Sequence, residues 1–302
     1  MRLVQFSLPG EGRRIGVIEK DLVFDITAKR DGVTTMLGLL GLAASQRANL
    51  AALVVSLRDR SPKKKGIRWA DLDGPVEEGR PHLLPPVDPP EVWGCGITYK
   101  RSAEFRDQDT GKPRGIYDYV YESDRPEVFF KATAARCVGP RDAVGVRSDS
   151  KLTAAEPELA VVLGSDGAVL GYTICNDVSA WDIERENPLF LPQSKIFRGC
   201  CALGPSLVTP VEVRDPHQLD IQCTIRRDGV ILFEGSCNTR QMRRKIDELV
   251  AALQKDNPIP FGTVLATGTG IMVPNEAALK TGDEVEIEIE GLGRLVNAVR
   301  QL

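Results

Sequence analysis

Histidine is nearly absent from this chain of 302 residues: only His82 and His217 occur, far apart and in dissimilar surroundings. That scarcity gives no basis for catalysis or metal binding built on imidazole. The seven cysteines are odd in number and contain no C-x-x-C pair, which argues against a disulfide framework and against a zinc site. Reduced, mostly buried thiols are expected instead. No run of about 18 apolar residues is available to cross a bilayer, and Met1–Gly10 lacks the charged, apolar and small-residue zones of a secretory leader. Neither sign of charge dominates, since 39 Lys plus Arg stand against 42 Asp plus Glu. Nothing electrostatic points to nucleic acid or an anionic membrane as a partner. What remains is a cytoplasmic protein with 42% hydrophobic residues, enough for a buried core. Its chemistry falls to carboxylates and lysines.

Along the chain, Arg2–Phe24 alternates short β-rich pieces with turns, and Val33–Arg58 gives a leucine- and alanine-rich helical pattern interrupted by Gly38 and Gly41. The segment 61–88 follows, with Lys63-Lys64-Lys65 and then Pro81, Pro85 and Pro86. It reads as a linker, because proline removes backbone donors and fixes φ. The lysine triplet, without an accompanying aromatic or arginine cluster, reads as a solvated loop. The expectation is a small N-terminal α+β domain over residues 1–85 and a catalytic domain over 86–302. In the second part Glu91–Thr98 and Glu127–Ala132 are strand-like, with a short helix over Gly115–Ser123. Hairpin signals stand at Asp166-Gly167 and Asp228-Gly229, and Glu284–Glu290 alternates as a strand. Between these, Thr239–Asn257 is expected as a helix with Thr239 as N-cap and Met242, Ile246, Leu249, Val250 and Leu253 on one face.

The sharpest local signal is Glu156-Pro157-Glu158, followed by a strand, a turn and a second strand ending at Asn176-Asp177. Side chains in a strand repeat every two residues, so Glu156 and Glu158 share a face. A two-residue turn at Asp166-Gly167 sets Glu158 opposite Cys175 and Glu156 opposite Asp177. Three carboxylates then cluster, and like charges so placed are destabilising unless neutralised. A divalent cation answers this, and oxygen-only ligands favour Mg²⁺, with Mn²⁺ or Ca²⁺ as substitutes. A β-bulge would shift the register and turn Asp177 to the other face.

Weaker candidates flank this constellation. Lys195 lies between a turn-rich segment and the small-residue run Gly199–Gly204, where a lone lysine is commonly a surface charge. Glu127 is either a partly buried acid of raised pKa or an exposed strand-start residue. Thr267-Gly268-Thr269-Gly270 resembles an anion-binding nest of backbone amides.

Glu156-x-Glu158 with Leu159–Leu163, Gly171-Tyr172-Thr173, Asn176-Asp177-Val178-Ser179-Ala180, Lys195 and Thr267-Gly268-Thr269 together resemble the fumarylacetoacetate hydrolase superfamily over roughly residues 86–302. The resemblance implies an α+β fold: a mixed, mostly β roll, usually a homodimer or higher homo-oligomer, preceded here by the small N-terminal domain. It also implies Mg²⁺ held by Glu156, Glu158 and Asp177. Members cleave C–C bonds, decarboxylate, isomerise or dehydrate 2-oxo acids, so the fold does not name the reaction. The hydrolases carry a histidine and a glutamate on a lid after the first strand of this domain. Here Tyr99-Lys100-Arg101-Ser102-Ala103-Glu104 contains no histidine. That departure shifts the expectation from hydrolysis toward metal-dependent dehydration of a 2-oxo sugar acid. A C–C hydrolase or decarboxylase of acylpyruvate or oxaloacetate type is the alternative. On this resemblance Glu127 and Lys195 are the proton-transfer pair, and Lys131, Gln193 and Thr269 are candidates for holding substrate.

Overall fold

The computed structural model describes residues 1–63, 65–109 and 115–302; of the lysine triplet, Lys64 lies outside the described residues. The β-rich N-terminus forms β1 (Arg2–Leu8), β2 (Gly12–Glu19) and β3 (Leu22–Asp25), an antiparallel meander. The helical stretch that follows is two helices, α1 (Met36–Ser45) and α2 (Leu50–Arg60), bent by 119°. The break falls at residues 46–49, whereas Gly38 and Gly41 sit inside α1. Asn49 decides it, because its side chain accepts from Ala52 N and starts a new helix. No single described helix is long and apolar enough to cross a membrane.

Residues 61–88 are packed structure rather than the expected linker. They hold β4 (Ile67–Arg68), α3 (Trp69–Leu72) and β5 (His82–Leu84). Leu72 and Leu83 are buried in a small core with Val4, Phe6 and Val23. The prolines flank β5 without interrupting it, so it still pairs with β1.

The remaining strands are β6 (Val92–Gly96), β7 (Glu127–Ala132), β8 (Cys137–Val138), β9 (Ala143–Val146), β10 (Thr153–Ala154), β11 (Pro157–Leu163), β12 (Val169–Asp177), β13 (Ser179–Ala180), β14 (Cys201–Val208), β15 (Asp220–Arg227), β16 (Val230–Asn238), β17 (Thr263–Ala266), β18 (Glu284–Ile289) and β19 (Gly293–Gln301). The large sheet runs β4-β3-β2-β1-β14-β12-β11-β17-β6-β7, with β5 beside β1 and β8 beside β14. Strand β1 pairs with β14, so the N-terminal strands and those beyond residue 86 share this sheet. A second sheet runs β16-β15-β18-β19-β9. It packs through β15, β18 and β19 onto β11, β12 and β14. Every residue of β11 and β14 is buried, which explains their nearly continuous apolar sequence.

Helices α4 (Lys100–Asp109) and α5 (Ile116–Glu122) separate β6 from β7; α6 (Trp181–Glu186) and α7 (Leu191–Lys195) follow β12. The helix expected from Thr239 begins later, as α8 (Ile246–Gln254). Asn238 and Gln241 form a capping box around a short 3-10 turn, and the Thr239 hydroxyl is instead used by Leu219 N at 2.9 Å. The apolar face is as expected, with Met242, Ile246, Leu249, Val250 and Leu253 all buried.

Candidate metal and proton-transfer site

The site rests on the β11–β12 hairpin. Glu158 pairs with Cys175 and Pro157 with Asn176, and the register persists to Val162 opposite Gly171. The loop is longer than a two-residue turn, since Gly164 N bonds the Ala168 carbonyl. A one-residue slip between Val162 and Leu163 absorbs the difference at the turn end. The opposite end keeps its phase, and Asp177 N donates to the Glu156 carbonyl at 3.0 Å. Glu156, Glu158 and Asp177 therefore converge, each offering a carboxylate oxygen, with these oxygens within 4.8 Å of one another and all three residues buried.

Cations surround two of the three. Lys195, at the end of α7 and only 3% exposed, donates to Glu156 Oε2 at 2.8 Å, to Asp177 Oδ2 at 3.0 Å and to Ser179 Oγ at 2.7 Å. Its three ammonium hydrogens are thus fully used. Arg106 on α4 donates to Glu156 Oε1 at 2.8 Å and also pairs with Glu184 on α6. Trp181 Nε1 adds a bond of 2.6 Å to the same Glu156 oxygen. Glu158, among the described residues, accepts from the backbone, from Gly268 N at 2.7 Å.

The electrostatics follow this division. Burial pushes Glu156 up, but the charges of Lys195 and Arg106, with the bonds from Lys195 and Trp181, outweigh it and hold its carboxyl at about 2. For Glu158, burial acts first and the Asp177 and Glu156 carboxylates add to it, raising it well above its ordinary value. Lys195 is desolvated too, yet Asp177 and Glu156 more than compensate and keep it protonated. Glu127, at the start of β7, is raised by burial and by Glu184, against the opposing pull of Arg106 and Lys195. Glu127, Glu156, Glu158, Lys195 and Thr269 line one cleft, with Phe129 and Ile97 as apolar wall.

The donor set fits a hard divalent cation. It is all oxygen, three-carboxylate and buried, and Lys195 is the opposing charge at Glu158 among the described residues. Asp177 Oδ1 lies 2.5 Å from Lys131 Nζ, a second ammonium that balances this carboxylate from the side away from Lys195 Nζ on Oδ2.

Two expected substrate contacts lie elsewhere. Lys131 is fully buried and directs its ammonium to the Val178 carbonyl at 2.8 Å and to Asp177, so it supports a carboxylate and does not line the cleft. Gln193 is exposed on α7 and lies outside the cleft wall; its carbonyl accepts from Arg147 at 3.0 Å. Thr269 does line the cleft, at 6% exposure. Arg106, Ser179, Trp181 and Glu184 were not among the residues singled out from sequence. Ser179, Trp181 and Glu184 follow Asp177 by two, four and seven residues, a proximity that marks them in retrospect. Arg106 sits among charged neighbours on α4 and reads there as solvated.

Fold and carboxylate cluster together define the class: the chain belongs to the fumarylacetoacetate hydrolase family, whose C-terminal-domain model matches residues 117–300. It is 54% identical over 222 residues, 72% of this chain and 74% of the other, to 2-dehydro-3-deoxy-D-arabinonate dehydratase of Saccharolobus solfataricus. Over 299 residues, 99% of each chain, it is 40% identical to a probable 2-keto-3-deoxyxylonate dehydratase of Haloferax volcanii. A solved structure of 2-keto-3-deoxy-D-arabinonate dehydratase complexed with magnesium and 2,5-dioxopentanoate matches with a TM-score of 0.85 at 41% identity, covering 100% of this chain and 99% of that one.

Proposed function

We propose that this chain is a Mg²⁺-dependent hydro-lyase that converts 2-keto-3-deoxy-D-arabinonate to 2,5-dioxopentanoate and water. The observation that carries this reading is the buried carboxylate triad, with Lys195 and Glu127 in the same cleft, in a chain that matches the magnesium-complexed dehydratase along its whole length. Glu156, Glu158 and Asp177 would hold the cation, within residues 86–302. When bound, the cation supplies Lewis acidity toward a 2-oxo acid.

The proton chemistry falls to the chain. A C3 proton of the substrate is acidic because it neighbours the ketone, and the C4 hydroxyl is placed for β-elimination. Glu127, a carboxylate whose pKa is raised by burial and by Glu184, is suited to take that proton as a base. Lys195, held as a cation by two carboxylates, would protonate the departing hydroxyl by turning one of its three N–H groups from Glu156, Asp177 or Ser179 to that oxygen, which leaves as water. Tautomerisation of the resulting enone through its C5 alcohol gives the aldehyde. Thr269 is placed to contact the substrate from the cleft wall.

A homo-oligomer acting in the cytoplasm completes the proposal. In support, all seven cysteines are free, and the outer strand β16 exposes Val230, Ile231 and Leu232. The test is a panel of 2-keto-3-deoxy sugar acids and acylpyruvates, with and without Mg²⁺. Semialdehyde release from the sugar acids, abolished by EDTA, is expected; full activity in metal-free protein, or pyruvate release from acylpyruvates alone, would overturn the proposal.

A further inference from the structure

The Thr267–Gly270 run, with its look of an anion nest, is turned inward: Gly268 N holds the carboxylate of Glu158 at 2.7 Å. What aims that amide is a residue 169 positions away. Thr98 Oγ1 donates to the Thr267 carbonyl at 2.7 Å, both groups being buried. That carbonyl and the Gly268 N–H belong to one planar peptide, so fixing its oxygen also fixes the direction of its hydrogen. Thr98 is itself held from its other side, where its carbonyl accepts from Arg243 N at 2.9 Å.

The local backbone indicates that this arrangement is enforced. Gly268 has φ +91°, and a Cβ there would lie 2.1 Å from Thr98 Oγ1, so the peptide and the hydroxyl are in close approach. The residue before Thr98, Ile97, has φ +53°, a conformation unfavourable for a β-branched side chain. It lines the cleft and persists only because neighbouring contacts over-determine it. Thr98 thus joins the corner between β6 and α4 to the one amide that binds Glu158.

We propose that Thr98 is a positioning residue for the metal site: through the Thr267–Gly268 peptide it sets the orientation of Glu158, and with it the affinity for the divalent cation. The inference rests on the proposed metal-dependent function, and it concerns a buried residue outside the carboxylate triad and the cleft lining. Outer-shell partners of ligating carboxylates typically govern metal affinity by about 10–100-fold.

The experiment compares wild type, Thr98→Val and Thr98→Ser by Mn²⁺ titration, read by electron paramagnetic resonance, and by the Mg²⁺ dependence of turnover. Thr98→Val keeps the shape and loses the hydroxyl; Thr98→Ser keeps the hydroxyl. Mn²⁺ binding at least about tenfold weaker in Thr98→Val, with Thr98→Ser within about threefold of wild type, is expected. The loss should appear mainly in the Mg²⁺ concentration required, with kcat largely recovered at saturating Mg²⁺. Equal Mn²⁺ affinity in Thr98→Val and wild type overturns the inference, as does a Thr98→Ser variant as weak as Thr98→Val. If Thr98→Val does not fold, Thr98→Ala takes its place as the variant without the hydroxyl, with the same weakening expected and wild-type Mn²⁺ affinity overturning the inference. A wild-type protein that binds no Mn²⁺ defeats the metal-dependent reading itself, a distinguishable result.

Discussion

Glu156 and Asp177 are bridged by one ammonium: Lys195 Nζ stands 2.8 Å from Glu156 Oε2 and 3.0 Å from Asp177 Oδ2. The pair comes from the two strands of one hairpin, and the lysine reaches it from a five-residue helix after β12. The same contacts that neutralise two buried carboxylates also keep the lysine charged, as the proposed proton transfer requires.

Removing that ammonium should therefore damage stability and catalysis together. Lys195→Met retains the buried stem but leaves Glu156 and Asp177 opposed without their shared cation. Breaking a buried ion pair from one side costs about 3–5 kcal/mol, so a loss of that order in urea unfolding of metal-free protein is expected. Turnover should fall by roughly 10²–10⁴ if the lysine transfers a proton. Added Mg²⁺ should recover part of the stability and none of the turnover. A variant with wild-type turnover would remove Lys195 from the mechanism.

Glu158 in its proposed ligand role predicts metal binding that depends on pH. Its folded pKa lies above the ordinary 4.5 in the absence of metal. Such a group contributes stability that is full below its unfolded pKa and is lost as pH rises through the folded value. A divalent cation takes the place of the proton. The stabilisation by Mg²⁺ should accordingly grow as pH rises from about 5, by up to ~1.4 kcal/mol per pH unit while one proton is displaced. Thermal melts with and without Mg²⁺ across pH 5–8 check this. A metal-induced shift in Tm that is flat with pH would show that no proton is exchanged at Glu158.

The hairpin was readable from sequence because strand periodicity and a turn signal fix register, and register fixes which side chains meet. The longer loop at residues 164–168 went unseen, but its slip lies at Leu163, away from Glu158. Segment 61–88 reads as a linker from its prolines, yet proline removes a donor only where it stands, and β5 pairs with β1 between Pro81 and Pro85. The partners of the carboxylates were less legible. Lys195 is a lone lysine in sequence, and only tertiary burial distinguishes it from a surface charge. Motif position carries no place in space for Lys131 and Gln193: one is fully buried beside Asp177 and the other is exposed on α7. Arg106 depends on how α4 packs, which no local pattern records.

Glu127 has a proposed proton-acceptor role that separates from metal binding. It lines the cleft without belonging to the carboxylate triad, so Glu127→Gln should bind Mg²⁺ within about twofold of wild type while kcat falls by roughly 10²–10⁴. The pH profile gives the sign. A base must be unprotonated to act, and burial with the neighbouring Glu184 raises Glu127 above the ordinary 4.5. Wild-type kcat/KM should therefore climb as pH rises through that raised value, and the acid limb should vanish in Glu127→Gln. Replacing Glu184 by Gln removes one cause of the raised pKa and should move the limb to lower pH. An acid limb that stays in place in both variants would assign it to another group and leave Glu127 without a part in proton abstraction.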